Sequence, residues 1–216
     1  MPFRLVVFDL DGTLIDSIGD LAAAVNRFLA ERGAGPLPVR AVAAMVGEGA
    51  RLLVSRAMAA AGLDGDPAGA LPRFLEIYEA MLPGETRPYD GIPEALAALR
   101  PRARLAVLSN KPREASMKIL DALGLTPFFA EVIGGDGGYP RKPAPDGLRH
   151  LVRDAGLQPP DAILVGDSTI DLLTAHAAGT RACIARYGFG QVTFDETRLA
   201  GDELFARTPR DLPTLL

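Results

Sequence analysis

The sequence predicts an α/β protein built on a doubly wound parallel sheet, with a helical segment inserted after the first strand. Three observations support this fold class. Short, uninterrupted apolar runs alternate with segments of helical spacing, as expected when strands are buried on both faces of a parallel sheet. Several helical segments end at a glycine, a common residue after a helix. Finally, roughly 90 residues between the first two apolar runs carry no strand signal.

Five short apolar runs are predicted strands. The first, Leu5–Phe8, leads directly into an acidic residue. Between the later runs, apolar residues recur at helical intervals and stop before a glycine, which indicates one crossover helix per strand pair. The other predicted strands are 105–108, 131–133, 162–165 and 182–184.

The long stretch after the first strand is predicted to be helical throughout. A parallel crossover needs only one helix, so the surplus from Asp16 to Tyr89 is interpreted as an insert. Pro83, Gly84 and Pro88 mark the return of the chain. The predicted division is therefore a core of residues 1–15 and 90–216 and a helical insert of residues 16–89. The predicted helices of this stretch are about 17–33, 38–46, 49–62, 67–82 and 91–100.

The composition excludes several classes of protein. Of the 216 residues, 48% are hydrophobic, which is enough to build a core. The net charge of -4 leaves no excess of cations for nucleic-acid binding. No apolar stretch approaches the ~20 residues of a membrane span, and no signal peptide is visible. We expect a cytoplasmic protein without nucleic-acid or membrane partners, either a monomer or a homodimer.

Cysteine and histidine are too scarce to carry the chemistry. Cys183 is the only cysteine, so neither an internal disulfide nor a thiolate metal centre can form. It lies in an apolar run and is predicted to be a small buried side chain. His150 and His176 are the only histidines, and both lie in helical segments. A Ser-His-Asp arrangement is therefore not expected.

Two carboxylates, Asp9 and Asp11, follow the first predicted strand. Open α/β sheets bind their ligands at this carboxyl end of the strands. Gly12 permits the backbone bend that would let both carboxylates face one point. The pair could instead cap the next helix. However, clustered carboxylates repel each other, which favours a cation beside them.

Asp167 and Asp171 follow the predicted strand 162–165. Their spacing of four residues can place them on one face at the start of the next helix. Asp167 or Ser168 could alternatively be a helix cap. If the two acidic strand ends are neighbours, four carboxylates converge with no cysteine and almost no histidine. Such a set of hard oxygen ligands favours Mg²⁺.

Polar residues also follow the second and third predicted strands. Ser109 and Asn110 end one run, where a hydroxyl can donate to a phosphoryl oxygen, although such residues are also common in loops. Lys142 lies in a stiff loop followed by prolines. A single lysine is usually a solvated surface charge, but this position favours a functional one. A nucleophilic carboxylate, an acid/base, a hydroxyl, a cation and a metal site together suit phosphoryl transfer.

The order of these motifs resembles the haloacid dehalogenase superfamily, in its phosphoglycolate phosphatase-like branch. The resemblance extends over nearly the whole chain and implies a Rossmann-like core with an inserted helical cap. Residues 16–21 and 187–190 resemble the branch less specifically. The four motifs that carry the resemblance are Asp9–Thr13, Ser109, Lys142 and Gly166–Asp171.

By this resemblance, Asp9 attacks the phosphate ester and forms an aspartyl-phosphate, and Asp11 exchanges protons with the leaving alcohol and the water. The resemblance also implies Mg²⁺ held by the Asp9 carboxylate, the Asp11 carbonyl and Asp167, with Asp171 orienting bound water. Dehalogenases of the superfamily lack an acid where Asp11 stands, so a phosphatase or phosphomutase is expected. The phosphate-binding candidates are Thr13, Ser109, Asn110 and Lys142.

The insert resembles the cap of this family, a lid that excludes water and limits the substrate to small molecules. Within it, Gly47, Glu48, Gly49 and Arg51 are candidates for substrate contact. The amides of a helix start and Arg51 could hold a carboxylate, as 2-phosphoglycolate requires. The same residues could equally form a plain turn with Arg51 solvated, and Glu48 does not suit an anionic substrate.

The sequence thus predicts a Mg²⁺-dependent phosphatase for a small phosphate monoester, with 2-phosphoglycolate as the leading candidate. A sugar-phosphate phosphatase, a pyrophosphatase or a β-phosphoglucomutase-like enzyme would use the same core residues. Phosphonate hydrolysis through a Schiff base would need a lysine in the insert, and none is present. A non-catalytic regulatory protein that retains the fold is the alternative from another class.

Overall fold

A computed structural model describes residues 3–216 of the chain. Its main sheet has six parallel strands, which confirms the predicted α/β fold with a doubly wound parallel sheet. These strands are β1 (Leu5–Phe8), β4 (Arg104–Leu108), β5 (Glu131–Ile133), β6 (Ala162–Gly166), β7 (Arg181–Ala185) and β8 (Leu204–Ala206). The remaining two, β2 (Ile15–Asp16) and β3 (Arg87–Pro88), pair antiparallel with each other.

The order across the main sheet is β5-β4-β1-β6-β7-β8, so β1 lies between β4 and β6. Three strands, β2, β3 and β8, were not predicted: β2 and β3 have two residues each, which is too short for a pattern, and β8 (Leu204–Ala206) was not recognised as an apolar run. The five predicted strands occur at the expected places, with ends that differ by one residue at most.

Within the described part of the chain, nine α-helices surround or follow the strands. Their apolar faces pack on the sheet or on one another, as the helical spacing indicates. The helices are α1 (Ile18–Ala30), α2 (Val39–Ala43), α3 (Ala50–Ala60), α4 (Pro67–Met81), α5 (Ile92–Leu99), α6 (Arg113–Ala122), α7 (Asp146–Asp154), α8 (Thr169–Ala178) and α9 (Leu212–Leu215).

Strand β1 shows why its sequence is apolar at every position. Val6 and Phe8 belong to one hydrophobic cluster, whereas Leu5 and Val7 belong to a second. Because successive side chains point to opposite faces, a strand with helices on both faces buries all of its residues. The fully apolar run is therefore a consequence of the two-sided cover.

Helices α1 to α4 lie between β2 and β3, within the stretch predicted as an insert. They pack chiefly through α1 against α4 and α3 against α4. Phe28 and Phe74 meet there edge to face, with ring centroids 6.0 Å apart. These helices bury apolar side chains among themselves and face the sheet across the strand ends.

The two segments that connect the main sheet to helices α1 to α4 contact each other. β2 and β3 pair through Ile15 with Pro88 and Asp16 with Arg87. The buried Asp20 carboxylate accepts hydrogen bonds of 2.9 Å from the Glu85 and Thr86 amides. The outgoing and returning segments are thus held side by side.

Across residues 3–216, no helix combines the length and apolarity that crossing a bilayer requires.

Candidate active site

The sheet order brings three motifs to one edge. The register pairs Phe8 with Val107 on one side and with Val165 on the other. Asp9, Ser109 and Asp167 are each the first residue after one of three neighbouring parallel strands. The Asp9 amide donates to the Val165 carbonyl at 2.9 Å, so pairing continues to the site itself.

Asp9, Asp167 and Asp171 form a buried cluster of carboxylates. One oxygen of each lies within 4.8 Å of the others, the spacing expected around a shared metal ion. Lys142 Nζ lies 2.8 Å from Asp9 Oδ1 and 2.6 Å from Asp171 Oδ1. The second oxygen of Asp171 accepts from the Ser168 hydroxyl at 2.6 Å. Asp171 is therefore engaged on both oxygens.

The cluster has more negative than positive charge. Burial raises the pKa of Asp9 to about 7; Lys142 opposes this rise, and Asp171 and Asp11 add to it. Burial also raises the pKa of Asp167 well above its usual range, with contributions from Asp171 and Asp9. One ammonium faces three buried carboxylates. The electrostatics therefore favour a further cation, and carboxylate oxygens suit a hard divalent one.

Lys142 remains positively charged within this cluster. Burial by itself would lower the pKa of Lys142, but the Asp171 and Asp9 carboxylates outweigh it and raise the pKa above its usual range. A buried cation paired with two carboxylates is held in place by both of them. Lys142 is therefore oriented at the edge of the sheet beside Asp9.

Gly12 allows the two acidic motifs to approach closely. Its φ of 87° lies in the left-handed region, which favours glycine. A Cβ at this position would lie 1.9 Å from Asp167 Oδ2. A side chain at position 12 would therefore displace the Asp167 carboxylate.

The Asp11 carboxylate turns away from the acidic cluster. Its Oδ1 accepts from the Ser17 hydroxyl at 2.6 Å. Lys111 Nζ donates to its two oxygens at 2.9 and 3.0 Å, and also to the Tyr78 hydroxyl at 2.7 Å. Asp11 thus faces Ser17 and Lys111 rather than Asp9.

Lys111 is a site residue that sequence reasoning missed. Burial would lower the pKa of this ammonium, but Asp11 and Tyr78 outweigh it and raise the pKa. The sequence held a signal, because Lys111 is one of only three lysines and directly follows Ser109 and Asn110. Its partners belong to distant segments, so its contacts are visible only in the folded chain.

The predicted phosphate-binding residues have different surroundings. Ser109 lines the cavity beside Asp9, and its hydroxyl accepts from the Lys111 amide at 3.2 Å. Asn110 Nδ2 donates to the Gly47 and Lys142 carbonyls, each at 2.9 Å, so both of its N–H groups are engaged. Within residues 3–216, the buried Thr13 hydroxyl has no hydrogen-bond partner, and Thr13 does not line the cavity.

The candidate substrate-contact residues of the predicted cap lie in different surroundings. Gly47 and Gly49 line the cavity that contains Asp9. The Glu48 carboxylate instead pairs with Arg56. Arg51 is exposed and lines a second cavity, shared with Glu48 and Lys142. The structure therefore brings the two glycines to Asp9, but it does not bring Arg51 there.

The segment 187–190 lies against the acidic site. The Gly190 amide donates to Asp167 Oδ2 at 2.7 Å, and the Tyr187 hydroxyl donates to the Thr13 carbonyl at 3.1 Å. Phe189 lines the cavity. This segment follows β7 and orients both acidic motifs, a contribution that the sequence reasoning did not assign to it.

Comparison with known proteins shows one consistent family. A family model described as haloacid dehalogenase-like hydrolase matches residues 6–185. Phosphoglycolate phosphatase 1 of Pseudomonas aeruginosa is 41% identical, with 86% of this chain and 70% of the relative covered. Phosphoglycolate phosphatase of Rhodospirillum rubrum is 40% identical, with 94% and 91% covered. These matches confirm the resemblance that the motifs predict.

A solved structure has the same architecture over nearly its full length. It is described as a predicted phosphoglycolate phosphatase from Haemophilus somnus 129pt. The two chains share 31% identity and superpose with a TM-score of 0.87, with 98% of this chain and 97% of the other covered. This similarity extends through the sheet and the inserted helices alike.

Proposed function

This chain belongs to the haloacid dehalogenase-like hydrolase family, and we propose that it is a Mg²⁺-dependent phosphatase of small phosphate monoesters, with 2-phosphoglycolate as its substrate. The observation that carries this proposal is the contact between Asp9 and Lys142 beside the buried cluster of Asp167 and Asp171. It provides a nucleophile, a phosphate-binding cation and a metal site at one point. The names of the similar proteins support 2-phosphoglycolate as the substrate.

The carboxylates of Asp9 and Asp167 and the backbone carbonyl of Asp11 would hold the metal, and Asp171 would orient a bound water. The surplus of negative charge in the cluster supports this assignment. When bound, Mg²⁺ supplies charge neutralisation for the cluster and for the phosphoryl oxygens.

In the first chemical step, a carboxylate oxygen of Asp9 attacks phosphorus while the bond from phosphorus to the alcohol oxygen breaks. Asp11 transfers its proton to that alcohol oxygen, so the oxygen leaves as a hydroxyl group rather than as an alkoxide. Lys142 and the Ser109 hydroxyl bind the phosphoryl oxygens as charge shifts onto them. The product of the step is an aspartyl-phosphate on Asp9.

In the second step, water attacks the phosphorus of the aspartyl-phosphate and gives a proton to Asp11. The bond between phosphorus and the Asp9 oxygen breaks, which releases inorganic phosphate and restores the Asp9 carboxylate. Helices α1 to α4 act as the cap, which covers the strand ends and restricts the site to small substrates.

The test is the release of inorganic phosphate from a panel of metabolite phosphates, with Mg²⁺ and with a chelator. We expect 2-phosphoglycolate to have the highest kcat/KM and the chelator to remove turnover. Asp9→Asn should lower kcat at least ~10³-fold without unfolding the protein, because an amide cannot act as the nucleophile. Asp64→Asn, an exposed position in the inserted segment, is the matched control.

Retained turnover in Asp9→Asn would refute the assignment of the nucleophile. Faster turnover of a sugar phosphate than of 2-phosphoglycolate would refute the substrate but not the class of reaction. Absence of phosphate release from every ester would refute the phosphatase itself.

A further inference from the structure

We propose that Lys111, assisted by the Tyr78 hydroxyl, binds a carboxylate on the leaving group and so selects 2-phosphoglycolate over phosphate esters of neutral alcohols. The inference rests on the proposed function and assigns its substrate specificity to a residue outside the catalytic motifs. It starts from the position of Lys111 Nζ, which lies 2.9 Å and 3.0 Å from the oxygens of Asp11.

The geometry places Lys111 next to the leaving group. Asp11 protonates the alcohol oxygen, so that oxygen must lie within hydrogen-bond distance of the Asp11 carboxyl. A substituent on the same oxygen therefore begins beside Lys111. In 2-phosphoglycolate the carboxylate is separated from this oxygen by a single carbon, which brings it within reach of the ammonium.

The cavity around Lys111 contains few other partners for an anion. On the side of the inserted helices its wall is largely apolar. Among residues 3–216, Lys111 is the one lysine or arginine that lines this cavity. A carboxylate that enters an apolar cavity must find a cation or hydrogen-bond donors to offset the loss of its hydration. The apolar wall includes Leu21, Val46, Leu53, Phe74 and Leu75.

Tyr78 adds a second polar group on the side of the inserted helices. Its hydroxyl lies 2.7 Å from Lys111 Nζ and its side chain is buried in α4. The pair joins the end of β4 to the inserted helices, so the carboxylate would be bound between the two parts of the chain. Glu79 of α4 also lines the cavity, but a carboxylate cannot pair with an anion, so Lys111 and Tyr78 are the groups on this side that suit one.

Arg51 is less well placed for the same task. It is exposed and lines the second cavity with Glu48 and Arg141, outside the space next to Asp11. Lys142 lies beside Asp9 and Asp171, where the proposed function assigns it to the phosphoryl oxygens, and it does not line the cavity next to Asp11. Lys111 is therefore the cation whose position matches a group on the leaving alcohol.

A structural role is the competing explanation, because Lys111 also holds Asp11 in place. The two roles differ in their dependence on the substrate. A residue that only positions Asp11 affects every phosphate ester alike, whereas a carboxylate-binding residue affects chiefly esters that carry one. The comparison therefore uses 2-phosphoglycolate and 2-hydroxyethyl phosphate, which has a hydroxymethyl group in place of the carboxylate.

The experiment measures kcat and KM of Lys111→Met for both esters with Mg²⁺. We expect kcat/KM for 2-phosphoglycolate to fall about 10- to 100-fold more than kcat/KM for 2-hydroxyethyl phosphate, because one hydrogen bond to a charged group contributes a free energy of this size. Much of the difference should be in KM. Lys118→Met is the matched control. Lys118 is exposed on α6, and its Nζ donates to the Glu79 carbonyl of α4 at 3.0 Å, so, like Lys111, it contacts α4, but it does not contact Asp11.

Tyr78→Phe tests the same inference if Lys111→Met does not fold, because it removes only the hydroxyl. We expect a several-fold loss that is again larger for 2-phosphoglycolate. Equal losses for the two esters in the folded variants would overturn the inference and leave Lys111 as a positioning residue. Wild-type protein that hydrolyses phosphate esters without preferring the carboxylate would overturn it as well. Failure of the wild type to hydrolyse any ester would instead refute the proposed function, and the inference with it.

Discussion

Asn110 and Lys142 exchange two hydrogen bonds. Asn110 Nδ2 donates to the Lys142 carbonyl and the Lys142 amide donates to Asn110 Oδ1, each at 2.9 Å. The same Nδ2 donates to the Gly47 carbonyl in the inserted segment. Asn110 therefore fixes the backbone of the residue that contacts Asp9, and it joins that loop to the helices above the site.

This arrangement changes the expected role of Asn110. With both N–H groups engaged, its side chain has no free donor for a phosphoryl oxygen. We interpret it as a positioning residue that acts through Lys142. Small displacements of a catalytic group are costly, because the reacting atoms must be aligned closely.

Asn110→Ala should therefore lower kcat about 10- to 100-fold with a smaller change in KM, because Lys142 loses its backbone partner. The matched control is Asn26→Ala. Asn26 makes an equivalent pair of hydrogen bonds with Leu37, at 3.1 and 2.8 Å, far from Asp9 along the first helix. Steady-state kinetics and thermal unfolding of both variants test the prediction. Equal effects of the two substitutions on kcat would contradict a positioning role.

Gly12→Ala tests the close approach of the acidic motifs. The new Cβ would lie 1.9 Å from Asp167 Oδ2, so we expect Asp167 to move and Mg²⁺-dependent turnover to be lost. Gly33→Ala is the control for backbone strain, because Gly33 also has a positive φ, of 74°, and a Cβ added there would meet no atom within 4 Å. Both variants should lose about 1 kcal/mol of stability from strain. Only Gly12→Ala should lose activity, and normal turnover in that variant would refute the predicted displacement.

Asp167→Asn tests the electrostatic cost of the acidic cluster. Because burial and neighbouring carboxylates raise the pKa of Asp167, its ionised form opposes folding in the absence of metal. The protonated Asp167 carboxyl therefore contributes its full stabilisation when the pH is below 3.8, its ordinary pKa. This contribution is lost as the pH rises towards the raised pKa of the folded state. The amide removes this decline. We expect metal-free Asp167→Asn to be at least as stable as wild type at pH 8 and to gain no stability from Mg²⁺.

Thermal unfolding with and without Mg²⁺ measures both parts of that prediction. The wild type should become more stable when Mg²⁺ is added, since a ligand that binds only the folded state stabilises it. An equal Mg²⁺ effect in Asp167→Asn would show that Asp167 is not a ligand. Lower stability of the metal-free variant at pH 8 would show that the cluster does not carry the expected repulsion.

Glu203 should contribute a stability that depends on acid pH. Burial by itself would raise its pKa, but hydrogen bonds from the Ala200 and Gly201 amides, together with His176, lower the pKa to about 2. A lowered pKa means that the stabilisation is present above the ordinary value of 4.5 and is lost as the pH falls towards 2. Glu203→Gln should cost up to about 3 kcal/mol at neutral pH.

The measurement is urea unfolding of Glu203→Gln and wild type between pH 7 and pH 2. The difference in unfolding free energy should shrink as the pH falls through this window. Glu94→Gln, at an exposed position in α5, is the control for replacing a glutamate by glutamine. A difference that stays constant with pH would contradict the role of the ionised Glu203.

The strand ends explain why so much of this site could be predicted. Asp9 and Asp167 each follow an apolar run, and in a parallel sheet the carboxyl ends of neighbouring strands meet at one edge. Lys142 could be singled out because it lies in a stiff loop after a strand. In these cases a local pattern and a general rule of topology were sufficient.

The roles of Asn110, Arg51 and Lys111 could not be predicted in this way. The donors of Asn110 are occupied by a loop carbonyl and an inserted segment, and Arg51 faces a different cavity from Asp9. Lys111 contacts a carboxylate and a hydroxyl from distant parts of the chain. Each of these features depends on where a long side chain points after the helices have packed on the strand ends.

The sequence by itself determined the class of fold, the acidic motifs and the family, because buried strands, glycine bends and strand-end carboxylates leave local patterns. Only the tertiary structure decided which polar groups meet: Asp11 with Lys111, Asn110 with Lys142, and Gly190 with Asp167. The physical reason is that hydrogen bonds and ion pairs extend only a few ångströms. Such contacts between distant segments therefore follow from the packing of the whole chain rather than from spacing along it.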